Sequence, residues 1–201
     1  MKKITTTLKV LAVAAAFLVH AGCNSLSRTT ESSSIIIIES ITGTTVEGED
    51  AAYLQSDVID ADGLVRVSNA TANIIVRLVN PNPLEGPSQF NDVVLTNYRV
   101  TYELPTGPGT PGTDVPFPFD GNFSTVLCQV DESTSVPFVV VLEAAKFAAP
   151  LVGLVGTNTV LERRAKIEIF GHDLTDHPVS TTGYLTIYFA DYQVVPAAAK
   201  N

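Results

Sequence analysis

The chain has 201 residues, 45% of them hydrophobic, with two Cys, no Trp and a formal charge of −9. That length suits one domain with a sizeable core. The acidic balance disfavours nucleic acid and anionic headgroups as partners, because like charges repel, and leaves cations or basic surfaces as better candidates.

Met1 to Lys9 carries Lys2, Lys3 and Lys9 with no acid, and Val10 to Val19 is an unbroken apolar run. These read as the n-region and h-region of a secretory signal over residues 1–22. Ten helical residues cover about 15 Å, roughly half of a bilayer's hydrocarbon core, so the run is too short to remain as a span. It ends in His20-Ala21-Gly22-Cys23. This stretch resembles the lipobox of bacterial lipoproteins, in which small residues precede a cysteine; the family prefers Leu where His20 stands. The resemblance implies cleavage before Cys23, a diacylglycerol thioether on its sulfur and an acylated new N-terminus. Attachment to the lipid bilayer would be stable, since each buried CH₂ contributes about 0.8 kcal/mol. By resemblance to enteric lipoproteins, Asn24 favours the outer membrane. The plainer alternative is an ordinary secretory signal cut at an Ala-x-Ala-like site, with Cys23 a bystander.

Removing the first 22 residues leaves 179 and takes away three lysines and no acid, which moves the charge from −9 to −12. Cys128 then has no partner in the chain, so the fold must hold without a disulfide in an oxidising compartment. Its surroundings, Phe123 to Val130, are strand-like, which suits a buried, inert thiol. Residues 23–34 form a lipidated cysteine followed by a polar tether rich in Ser and Thr. A single domain is expected over 35–195, with a fraying tail at 196–201.

Within that domain, Ile35 to Ile38 reads as a buried strand continuing toward Ile41 and stopping at Gly43. Tyr53 to Ile59, Leu64 to Val67 and Thr71 to Val79 follow, the last ended by Asn80-Pro81-Asn82-Pro83. Asp92 to Leu104 alternates, with Val94, Thr96, Tyr98, Val100 and Tyr102 on one face. Pro105 to Pro118 holds five prolines and three glycines in fourteen residues and is expected to be a loop. Phe123 to Val130 and Val136 to Leu142 are further strands. Glu143 to Leu154 is the one helical stretch, interrupted by Pro150. Ala165 to Phe170 and Gly183 to Ala190 form a hairpin across a broad loop.

Seven to nine short strands with Gly and Pro punctuation predict an all-β fold, an antiparallel immunoglobulin-like or fibronectin III-like β-sandwich, with a closed barrel as the rival. The order of features from Thr71 to Leu142, a strand ending in Asn-Pro-Asn-Pro, a long strand through Tyr98 and a Ser/Thr turn before Val136-Pro-Phe138, resembles the WHy domain of late-embryogenesis-abundant proteins. That family is itself a fibronectin-like sandwich, so the resemblance implies the same fold.

Candidate chemistry is sparse. His172, Asp173, Asp176 and His177 have the right ligand types for a divalent metal, but Gly, Asp and Pro are also what a hairpin turn demands. Asp60 and Asp62 open a Ca²⁺-loop-like stretch near Glu47, Glu49, Asp50 and Asp57; no closing Glu follows, and an acidic solvent-exposed turn is the bland reading. No Gly-x-Ser-x-Gly elbow, phosphate-cradling loop or His-Glu-x-x-His occurs, so no enzyme and no resident cofactor are expected. The expectation is a cell-envelope lipoprotein, periplasmic or surface-facing, acting as a non-catalytic interaction or structural module for another envelope protein. The alternative is a Ca²⁺- or glycan-binding lipoprotein using the acidic segment or Tyr98, Tyr102, Tyr184 and Tyr188.

Overall fold

The computed structural model describes residues 31–80 and 86–194. The signal, Cys23, most of the tether, Pro81 to Pro83 of the turn and the tail from Pro196 lie outside the described residues. Ten strands follow in chain order: β1 (Ser34–Thr44), β2 (Asp50–Ala51), β3 (Tyr53–Asp57), β4 (Ser68–Leu78), β5 (Val93–Leu104), β6 (Gly107–Pro108), β7 (Phe119–Cys128), β8 (Ser133–Val141), β9 (Leu161–Asp173) and β10 (Pro178–Ala190). One helical turn, α1 (Glu143–Lys146), and a 3₁₀ turn at Leu151–Leu154 flank the cis Ala149–Pro150 bond. The strands make two sheets, β2-β1-β4-β8 and β3-β10-β9-β5-β6, with β7 also on β5. The chain is an all-β sandwich, as its punctuation predicts.

The sandwich is not wholly antiparallel. After β1 turns back into β2, the chain crosses between sheets at Ala52, and β3 lies parallel to β10 from Tyr53↔Thr186 to Asp57↔Ala190. Leu64 to Val67 is not a strand. Asp60 closes a turn there instead, its Oδ1 accepting from the N–H groups of Asp62 (3.0 Å) and Leu64 (2.8 Å), with Gly63 at φ +75°. A side chain that satisfies its own backbone competes with any ladder.

Two bulges explain where simple alternation fails. In β1, Ser34 and Ile36 point inward, the register slips between Ile38 and Ser40, and Ile41 and Gly43 then point inward. The isoleucine run is therefore half-buried: Ile36 is 5% exposed, but Ile35 is 44% exposed. In β5 the slip falls between Leu95 and Asn97, so Val93 and Leu95 share the inner face with Tyr98, Val100 and Tyr102. One extra residue reverses every later side chain. Pro137 fits because β8 is an edge strand, where a missing N–H costs no ladder bond.

The core lies between the sheets. Tyr98 packs on Phe119, Phe123 and Phe138, and the Tyr102 hydroxyl donates across the sandwich to the Val140 carbonyl at 2.7 Å. Cys128 is fully buried, and burial pushes its thiol up despite a hydrogen bond with Thr134. Tyr98 and Tyr102 are core residues, 5% and 3% exposed, which removes them from any glycan-facing surface. Tyr184 is exposed and stands over Arg164.

The long strands define two poles. At one, the entry pole, Ser34 begins β1 and the β9–β10 hairpin turns. That hairpin is tight: pairing continues to Pro178↔His172, leaving five residues, Asp173 to His177, in place of the broad loop expected. At the far pole β1 and β10 end, and α1 and the 154–160 segment close the sandwich.

Candidate functional site

Asp173 organises the entry pole. It is 1% exposed, and its carboxylate accepts from Ser32 Oγ (2.6 Å), Thr175 N (2.8 Å), Thr175 Oγ1 (2.6 Å) and His177 N (3.0 Å). Burial works to raise its pKa, but these hydrogen bonds outweigh it and hold the carboxyl well below the usual carboxylate range. Ser34 Oγ donates to the Asn91 carbonyl and Asn91 Nδ2 to Ser33 Oγ, so the chain entering the domain is laced to two loops.

His177 Nδ1 lies 2.7 Å from Thr175 Oγ1, and His172 Nδ1 lies 2.9 Å from the Asp173 carbonyl and 3.5 Å from the Asp176 carboxylate. The order is carboxylate, hydroxyl, imidazole. A nucleophile needs the imidazole in the middle, to take the hydroxyl proton; here the Thr175 proton points at Asp173. Among the described residues no group of three or more His, Cys, Asp or Glu side chains is placed to hold a metal ion. Asp60 is occupied by Arg66 at 2.5 Å, and Asp62, 78% exposed, lies 3.7 Å from the same guanidinium. These bonds hold the Asp60 carboxyl below its ordinary range, the Arg66 bond first.

The far pole holds what the residue types alone did not indicate. A cavity of about 470 Å³ opens between the end of β1, β3, the Asp60 turn, the start of β4 and α1. Its buried cation is Lys146, 4% exposed, whose Nζ donates to the Asp57 carbonyl (2.6 Å) and to Ser68 Oγ (3.1 Å). Ser68 in turn shares a 2.9 Å hydrogen bond with the buried Ser56. Burial pulls the Lys146 amine down to about 8, against the attraction of Asp57 and Asp60. Burial also pushes the Asp57 carboxyl up, although the N–H groups of Tyr192 and Gln193 donate to it. The available signal was the single lysine inside Leu-Glu-Ala-Ala-Lys-Phe-Ala-Ala, a charge on a small apolar turn. Its partners, 78 and 89 residues away, were not legible.

Lys146 sets a pH dependence. In the unfolded chain the amine titrates at its ordinary 10.5, so between about 8 and 10.5 the unfolded state holds the extra proton and stability rises with pH. The slope is at most about 1.4 kcal/mol per pH unit. Cys128, raised by burial from 9.0, acts in the opposite sense above that value. Urea melts at pH 8 and pH 9 should therefore show the wild type gaining about 1 kcal/mol relative to Lys146→Met. A wild-type-to-variant difference that stays flat contradicts the assignment.

No protein-family model matches this chain, and no curated protein matches it significantly. Among the described residues no helix is long and apolar enough to cross a membrane.

Proposed function

We propose that the protein is a membrane-anchored envelope lipoprotein, held to the outer membrane through acylated Cys23, whose β-sandwich is a non-catalytic binding module for an envelope partner. The observation that carries the reading is the lipobox-like His20-Ala21-Gly22-Cys23 directly after a short apolar run, eight residues before the domain begins at Glu31. The polarity of the domain supports it. The chain enters beside the Asp173 hub, whereas the cavity opens where β1 ends. Eleven residues of β1 at roughly 3.3 Å each place the two poles about 36 Å apart. The cavity therefore lies at the pole away from the point where the chain enters the domain.

Mass spectrometry of the mature N-terminus is the direct test. The expected species starts at Cys23 and carries a diacylglycerol thioether, and Cys23→Ser should move the protein from the membrane to the soluble fraction. An unmodified Cys23 in membrane-extracted protein overturns the anchoring. For the module itself, a photo-crosslinking residue at Val67, on the cavity wall, is expected to give a discrete adduct in cells. The same residue at Asn91, on the entry pole, should give none. A domain that stays alone from both positions counts against a protein partner.

A further inference from the structure

We propose that the far-pole cavity binds a small, singly charged carboxylate with a hydrogen-bonding body, its carboxylate capping Lys146. The inference rests on the reading that this pole is the domain's binding surface, and it assigns to the cavity a small-molecule ligand beside the envelope partner. The volume, about 470 Å³, falls within the range of roughly 300–1,000 Å³ typical of small-molecule sites. Lys146 lies on its lining, 96% buried, and both of its acceptors are formally neutral oxygens, a backbone carbonyl and a serine hydroxyl. Among the described residues no carboxylate stands within ion-pair distance of its Nζ. A buried ammonium is costly unless it is paired, and a ligand carboxylate would supply at contact distance the counter-charge that Asp57 and Asp60 exert only from farther away.

The rest of the lining narrows the class. Arg66 on the cavity wall is already neutralised by Asp60 at 2.5 Å, so Lys146 is the one cation there not held in an ion pair. The carboxylates of Asp57 and Asp60 flank the same space and would repel a doubly charged phosphate more strongly than a monoanion. Thr44, Asn69 and Gln193 add hydroxyl and amide groups to the wall, suited to the hydroxyls of the ligand's body.

The mature chain would carry only Lys146, Lys166 and Lys200, which makes the site directly readable. The full-length protein in detergent, labelled with ¹⁵N-lysine, is titrated at fixed neutral pH and constant ionic strength with D-gluconate, D-glucose or inorganic phosphate. Gluconate is expected to shift the Lys146 Nζ resonance saturably, with affinity at least about tenfold above either control. Lys146→Met should abolish the binding. Should that variant fail to fold, Thr44→Val is expected to weaken gluconate severalfold while leaving the protein folded. No saturable shift, equal affinity for phosphate or glucose, or a response confined to Lys166 each overturns the proposal. Gluconate binding together with an unmodified Cys23 in membrane-extracted protein would sink the envelope reading and leave the site standing.

Discussion

Asp173→Ala is expected to lower the stability of the domain by about 2–4 kcal/mol, measured by urea unfolding at neutral pH. The carboxylate satisfies four donors from Ser32, Thr175 and His177, and it joins the entering chain to the β9–β10 turn. Removing an acceptor that buried donors share costs about 1–3 kcal/mol for each group left unpaired, and water at this pole recovers part of that. Asp173→Asn keeps one oxygen and the shape and should lose about half as much. The pH dependence separates charge from shape. Because the folded carboxyl lies below its ordinary value of 3.8, the unfolded state binds the extra proton beneath that value. The contribution is complete above about pH 4 and disappears on further acidification, so the wild-type advantage over Asp173→Asn should shrink below pH 4. An advantage constant from pH 7 to pH 3 would mean the hydrogen bonds do not favour the ionised form. Addition of EDTA or Zn²⁺ to the wild type should leave the melt unchanged, because Asp173 is engaged in these bonds and no three-ligand group is present among the described residues.

The second large effect is expected at Gly171→Ala. A Cβ on Gly171 would stand 2.3 Å from the Val94 carbonyl oxygen and 3.2 Å from the Leu95 Cα, both backbone atoms of β5. A flexible side chain can move aside; a paired strand cannot. Gly171 faces Leu95 at the edge of the bulge, and β5 and β9 are the central pair of their sheet. The variant should lose at least about 3 kcal/mol or fail to accumulate as folded protein. Gly153→Ala provides the control, since no atom lies within 4 Å of the position its Cβ would take. It should change stability by less than about 0.5 kcal/mol. Equal melting temperatures for the two variants would show that the β5–β9 approach at Gly171 is looser than its geometry states.

Much of this protein was legible in residue order because the information is local. The alternating strands and the Pro and Gly breaks are properties of neighbours, and they sufficed for an all-β sandwich with one short helical stretch near Pro150. The two bulges were not legible. An extra residue in β1 or β5 is defined only against the partner strand, so simple alternation puts Tyr98 and Tyr102 on the face opposite Leu95, whereas they share its core. The parallel β3–β10 pair was hidden for the same reason: Tyr53 to Asp57 reads as a strand without saying which edge it joins.

The candidate sites divide in the same way. His172, Asp173, Asp176 and His177 are close in sequence and drew notice as ligand types, yet only the tertiary structure shows Asp173 spent on Ser32, 141 residues away, and on its own turn. Lys146 drew none, because a single lysine on a short helical turn is ordinary until Asp57 and Ser68 close over it. Sequence alone determined the sheet-forming pattern, since it follows from residue type and short period. Tertiary structure decided which charges are buried and what they touch, since burial and pairing arise only when distant segments exclude water together.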